Sequence, residues 1–92
     1  MGEASRVCPL IRAADAVYGE RPENYGHPAE NFEHIASLWR ALFGWDVVAE
    51  DVALAMVLLK LSRLKRTPGH EDSATDVAGY IEAYWMIRAR GR

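Results

Sequence analysis

The stretch that most constrains this chain lies between Ala49 and Arg66. It opens on Glu50 and Asp51, is apolar without interruption from Val52 to Leu59, and closes on Lys60, Arg63, Lys65 and Arg66. Acids at the start and bases at the end complement a helix dipole, so the order of charges predicts a helix over these residues. The run from Val52 to Leu59 is apolar around the whole helix circumference, and such a helix is covered on every side when folded. A chain of 92 residues has room for one core. Three other helices of such a chain can barely surround a fourth. The pattern therefore predicts a partner subunit, and with it a homo-oligomer. The same run falls far short of the about 20 apolar residues that span a bilayer, so no membrane partner is expected.

Pro and Gly divide the rest of the chain into helical pieces. A first helix is predicted from Pro9 to Gly19, with Leu10, Ala13, Ala14 and Val17 at helical spacing. Glu20 to His27 reads as a polar loop. A second helix starts near Pro28, repeats apolar residues at Phe32, Ile35, Ala36, Trp39, Leu42 and Phe43, and stops at Gly44. Thr67, Pro68 and Gly69 make a tight turn. A fourth helix then runs from Asp72 to Arg90, with Ser73 or Asp72 as its cap. Gly79 in its middle costs about 1 kcal/mol relative to alanine and suits a close backbone neighbour. Few residues favour strands. The fold expected is all-α, about four helices in a compact bundle, with residues 1–92 forming one domain.

Composition narrows the partners. Eleven Lys and Arg stand against thirteen Asp and Glu, a net charge of −2, which provides no global basic field for nucleic acid. Cys8 is the only cysteine, so no intrachain disulfide forms, and Met1 to Arg6 lacks the apolar core of a signal peptide. Both features fit a reducing cytoplasm. His27, His34 and His70 with Cys8 match no zinc-ligand spacing. No Gly-rich phosphate loop and no nucleophilic triad is present.

Helical geometry shows where the polar residues fall. On the second helix, Phe32, Ile35 and Trp39 centre the apolar sector. Asn31 lies at its edge, and Glu30 and Glu33 lie roughly opposite. On the third, Arg63 shares a stripe with Val52, Met56 and Leu59, and Lys60 is beside it. On the fourth, Asp72 and Asp76 share a stripe with Gly79 and Ala83. The short turn makes the last two helices antiparallel neighbours. Asn31, the His27 loop, Lys60, Arg63 and Asp76 are thus expected at one end of the bundle.

These residues carry a resemblance. Tyr-Gly-His-Pro-Ala-Glu-Asn-Phe (Tyr25 to Phe32), Glu-Asp-Val-Ala-Leu-Ala-Met-Val-Leu-Leu-Lys (Glu50 to Lys60) and Asp-Ser-Ala-Thr-Asp-Val-Ala-Gly-Tyr (Asp72 to Tyr80) resemble a family of small actinobacteriophage and prophage proteins of unknown function. Asp76 to Tyr80, after Lys60 and Arg63, is also similar to the all-α nucleoside triphosphate pyrophosphohydrolases of the MazG type. In such enzymes acidic residues on two helices hold Mg²⁺ over the triphosphate, and the metal activates water. The resemblance implies Glu30, Glu33, Asp72 and Asp76 as ligands of a Mg²⁺ cofactor. It departs from that family in spacing Asp72 and Asp76 by four rather than three, and in turning Glu30 and Glu33 away from the apolar stripe.

The leading expectation is an oligomeric phage-type protein that binds a phosphorylated nucleotide, with or without Mg²⁺-dependent hydrolysis. Lys60 and Arg63 would hold phosphate, Tyr25 and Asn31 would meet sugar or base, and His27 would join them in binding the nucleotide. One alternative is a protein that sequesters a host nucleotide signal without catalysis. Another is an interaction module that blocks a host factor through its apolar faces.

Overall fold

The computed structural model describes residues 8–18 and 27–91, and in them the chain forms four α-helices and no strand. These are α1 (Pro9–Tyr18), α2 (Pro28–Phe43), α3 (Ala49–Arg66) and α4 (Glu71–Gly91). Helix positions follow the Pro and Gly punctuation. Pro9 and Pro28 stand at first helical positions, where the missing N–H costs no helical bond. Gly44 ends α2 in the left-handed region at φ 72°, and its N–H donates to the Arg40 carbonyl at 3.0 Å. Gly69 takes the same left-handed backbone, φ 84°, in the turn between α3 and α4. A side chain at either position would be strained whatever the space around it.

Histidines start two of the helices, a use that the sequence pattern did not suggest. The His27 side chain accepts the Ala29 N–H through Nδ1 at 2.9 Å. His70 Nδ1 accepts the Ser73 N–H at 3.2 Å and lies 2.8 Å from Ser73 Oγ. The His70 carbonyl accepts the first bond of α4, from Ala74 at 3.2 Å. The cap of α4 is therefore His70 rather than Ser73 or Asp72, and the helix begins one residue earlier than expected, at Glu71. An imidazole nitrogen serves as well as a hydroxyl because it reaches the same free N–H groups of the first turn. Ser73, one turn in, is buried against that ring. At the start of α3, Val48 has no polar side chain. There Asp51 supplies the reciprocal half of a cap, its Oδ2 accepting the Val48 N–H at 3.0 Å.

The core is built of small residues. Ala36, Ala49, Val52, Ala53 and Ala83 are buried together with Phe32 and Ile87. Ile35, Trp39, Tyr80 and Tyr84 pack around them while keeping part of their surface outside. Small side chains at a helix contact permit axes to approach towards the short end of the usual range of about 8–10 Å. α3 and α4 form the most extensive pair, α2 lies across both, and α1 packs on α4. α3 and α4 run antiparallel. Lys60 reaches Asp76 near the turn, at 3.1 Å, and Glu50 meets Arg88 near the far end, at 4.0 Å.

This core leaves much apolar surface uncovered. The expectation that α3 is enclosed on every side fails within one chain. Ala49, Val52 and Ala53 are buried, whereas Leu54, Leu58, Leu59 and Leu61 are exposed. The physical reason is geometric: α2 and α4 occupy one side of α3, and no described helix reaches the other. Leu42, Phe43, Trp45 and Val48 form a second exposed apolar group, where Phe43 and Trp45 stack at 4.4 Å and Trp39 meets Trp45 edge-on at 5.8 Å. No described helix is long and apolar enough to cross a membrane.

Two stability predictions follow from the start of α4. Replacing His70 with Ala removes the cap and leaves Ser73 without its partner; a loss of about 1 kcal/mol is expected in urea unfolding followed by circular dichroism. Thr75 Oγ1 is buried and makes no hydrogen bond among the described residues. The near-isosteric Thr75→Val, which removes that hydroxyl, is expected to leave stability unchanged or raise it by about 1 kcal/mol in the same assay.

Candidate functional site

Eight lysines and arginines lie in the described residues, and their pairing divides them cleanly. Arg12 bridges to Glu71 and, at 3.1 Å, to Asp72. Arg40 binds Glu33 at 2.7 Å and donates to the Val47 carbonyl at 2.8 Å. Lys60 holds Asp76, Arg88 approaches Glu50, and Arg90 holds Glu30 at 3.1 Å. Arg63, Lys65 and Arg66 remain. They are exposed, and among the described residues none has a carboxylate partner. All three lie in the last turn of α3, beside the turn that leads into α4.

Helical phase separates these three. Arg63 and Arg66 are three residues apart and share a face, on the same row as Lys60, whereas Lys65 is turned away from them. Lys60, Arg63 and Arg66 thus line one side of the α3 end, with Asp76 holding Lys60 at its inner limit. Such a row offers several N–H donors and a net positive charge to an anion.

The residues singled out in the sequence fall in different places. Lys60 and Asp76 come together as expected. Arg63 is one turn further along α3 and free of ion pairs among the described residues. Tyr25 lies outside the described residues. His27 is at the start of α2 with its Nδ1 committed to that helix. Asn31 is half-buried and makes no side-chain hydrogen bond among the described residues.

The four carboxylates are not gathered in one chain. Glu30, Glu33, Asp72 and Asp76 are each held by a different cation, namely Arg90, Arg40, Arg12 and Lys60. Glu30 sits beside Arg90, and Arg90 is roughly 21 Å along the α4 axis from Asp76 at 1.5 Å per residue. An arginine side chain closes only part of that gap, whereas ligands of one Mg²⁺ stand about 2 Å from it. Among the described residues no group of three His, Cys, Asp or Glu side chains is placed to hold a metal ion. Arg12 escaped the sequence reading altogether. Its position in a short helix far from Glu71 in sequence gave no sign that it would fork across the first turn of α4.

Comparison with known proteins places the chain among phage relatives. A protein of Mycobacterium phage D29 described as "Gene 55 protein" is 46% identical over 71 residues, covering 77% of this chain and 47% of the relative. The "Gene 55 protein" of Mycobacterium phage L5 is 42% identical over 72 residues, covering 77% of this chain and 46% of the relative. The chain thus spans about half the length of these relatives. No solved structure matches it. The model of one family, described as a domain of unknown function (DUF6378), matches residues 9–87, from the first turn of α1 to the last buried residue of α4. The chain belongs to the DUF6378 family, a family of phage proteins whose function is not known.

Proposed function

We propose that the protein binds a phosphorylated nucleotide at the hairpin end of α3 and α4, and that it holds this ligand rather than hydrolysing it. The observation that carries this reading is the confinement of the unpaired described cations to the last turn of α3. The helix dipole favours cations there. Among the described residues a carboxylate partner, which every lysine and arginine outside this turn has, is missing at Arg63 and Arg66. A phosphate on their shared face would take its place, with Lys60 behind them. Charge-assisted bonds of this kind contribute about 1.5–3 kcal/mol each.

Sequestration needs these cations and not the four carboxylates. That favours it over Mg²⁺-dependent, MazG-like hydrolysis, which calls for Glu30, Glu33, Asp72 and Asp76 on one metal. A second reading, in which the chain blocks a host protein, is favoured by the exposed group of Leu42, Phe43, Trp45 and Val48. Patches of this kind mark protein contacts.

The test is a panel of nucleoside triphosphates and cyclic dinucleotides, with and without Mg²⁺, followed by thermal shift and by mass spectrometry of the recovered ligand. At least one member is expected to raise the melting temperature and to be recovered unchanged. Arg63→Ala and Arg66→Ala are each expected to weaken it about tenfold or more, an effect that shrinks with added salt. A Mg²⁺-dependent monophosphate product transfers the site to the hydrolytic reading. No shift and no turnover across the panel sinks the nucleotide proposal and leaves the protein-blocking one.

A further inference from the structure

Five exposed residues of α3 follow one another in alternating steps of three and four: Asp51, Leu54, Leu58, Leu61 and Lys65. Such steps keep side chains on one narrow seam of a helix, the spacing by which two helices pack side by side. The seam lies on the side of α3 opposite the buried Ala49, Val52 and Ala53. Its leucines are 41%, 67% and 46% exposed, in chain order. An acid stands at one end and a base at the other, each seven residues from Leu58. Among the described residues Lys65 has no ion-pair partner, and Asp51 spends one carboxylate oxygen on the Val48 N–H.

We propose that this seam binds the same seam of a second copy of the chain, antiparallel, about a two-fold axis at Leu58. In that register Leu58 meets Leu58 of the partner subunit, Leu54 packs toward the partner's Leu61, and Asp51 faces the partner's Lys65. The two-fold repeats the last two pairings, as an isologous interface requires. A second copy fits because the seam is complementary to itself. Leucine meets leucine through the middle, and opposite charges meet at both ends. A parallel pairing would set Asp51 against Asp51 and Lys65 against Lys65, and like charges across such a seam are repulsive. The charge order therefore selects the antiparallel arrangement. The dimer also covers the side of α3 that α2 and α4 leave open. It stands apart from nucleotide binding, because Arg63 and Arg66 are turned away from Lys65.

Sedimentation equilibrium on the full chain, in a Cys8→Ser background, reads the association directly. The chain is expected to be dimeric. Lys65→Asp and Asp51→Lys each place like charges at both ends of the seam and are expected to weaken the dimer about tenfold. Mixed in equal amounts, the two variants are expected to recover near-original affinity as a heterodimer, since both ends are then opposite in sign. Circular dichroism checks that each variant stays helical. If Asp51→Lys loses its cap and unfolds, Lys65→Asp carries the test alone. Under oxidation Leu58→Cys is expected to cross-link to its own copy. Leu54→Cys is not, because the two-fold offsets its copies by roughly 12 Å along the axes, beyond the 4.4–6.8 Å Cα separation of a disulfide. A chain that stays monomeric at about 0.1 mM, a dimer indifferent to Lys65→Asp, or equal cross-linking at both positions overturns the proposal.

Discussion

Close contact between α3 and α4 is the constraint on which the rest of this molecule depends. Ala49, Val52 and Ala53 on one helix meet Ala83 and Ile87 on the other with little side-chain bulk between them. Residues this small permit a close approach of the axes. The turn from Thr67 to His70 closes the hairpin, and His70 fixes where α4 begins. α2 then settles across the pair with Phe32 and Ala36 in the shared core, and α1 lies on α4 with Arg12 clasping its first turn. A bulkier residue at Ala36 or Ala53 would force the helices apart and cost about 1–3 kcal/mol.

A core built from alanines has a consequence at the surface. Small side chains bury little apolar area per residue, and the large leucines of α3 are left outside. The molecule thus inverts the usual distribution, with small residues inside and several large ones outside. The alternation of three and four along α3, bounded by opposite charges, would give the proposed dimer a direction and a register.

The charges follow a second logic. Most described cations are tied to carboxylates from other helices or from distant turns, and these ties fasten α1 to α4 and α2 to the end of α4. Ion pairs as exposed as Glu30 with Arg90 contribute little stability, about 0–1 kcal/mol, but they fix which carboxylates are already engaged. What remains unpaired is concentrated at one helix end. That distribution is what the proposed recognition of an anion rests on. Curated relatives twice as long as the matched segment carry further chain whose role the shared helices alone do not reveal.

Helix number, type and near-residue boundaries were legible in the sequence. They depend on local chemistry: Pro at first turns, Gly where the backbone turns left-handed, and apolar repeats in steps of three and four. That Asp76 would fall beside Lys60 and Arg63 was legible too, because a short turn makes the two helices antiparallel neighbours; which of the two cations it meets was left to the packing. The caps at His27 and His70 were not, since histidine at such a position carries no strong signal of its own. Nor was the fate of Glu30, Glu33, Asp72 and Asp76. Spacing places carboxylates on a helix face, but which cation answers each one depends on how the helices cross. That crossing brings Ala36, Ala53 and Ala83 of three helices into one core, a property of packed volumes that no single stretch of the chain contains.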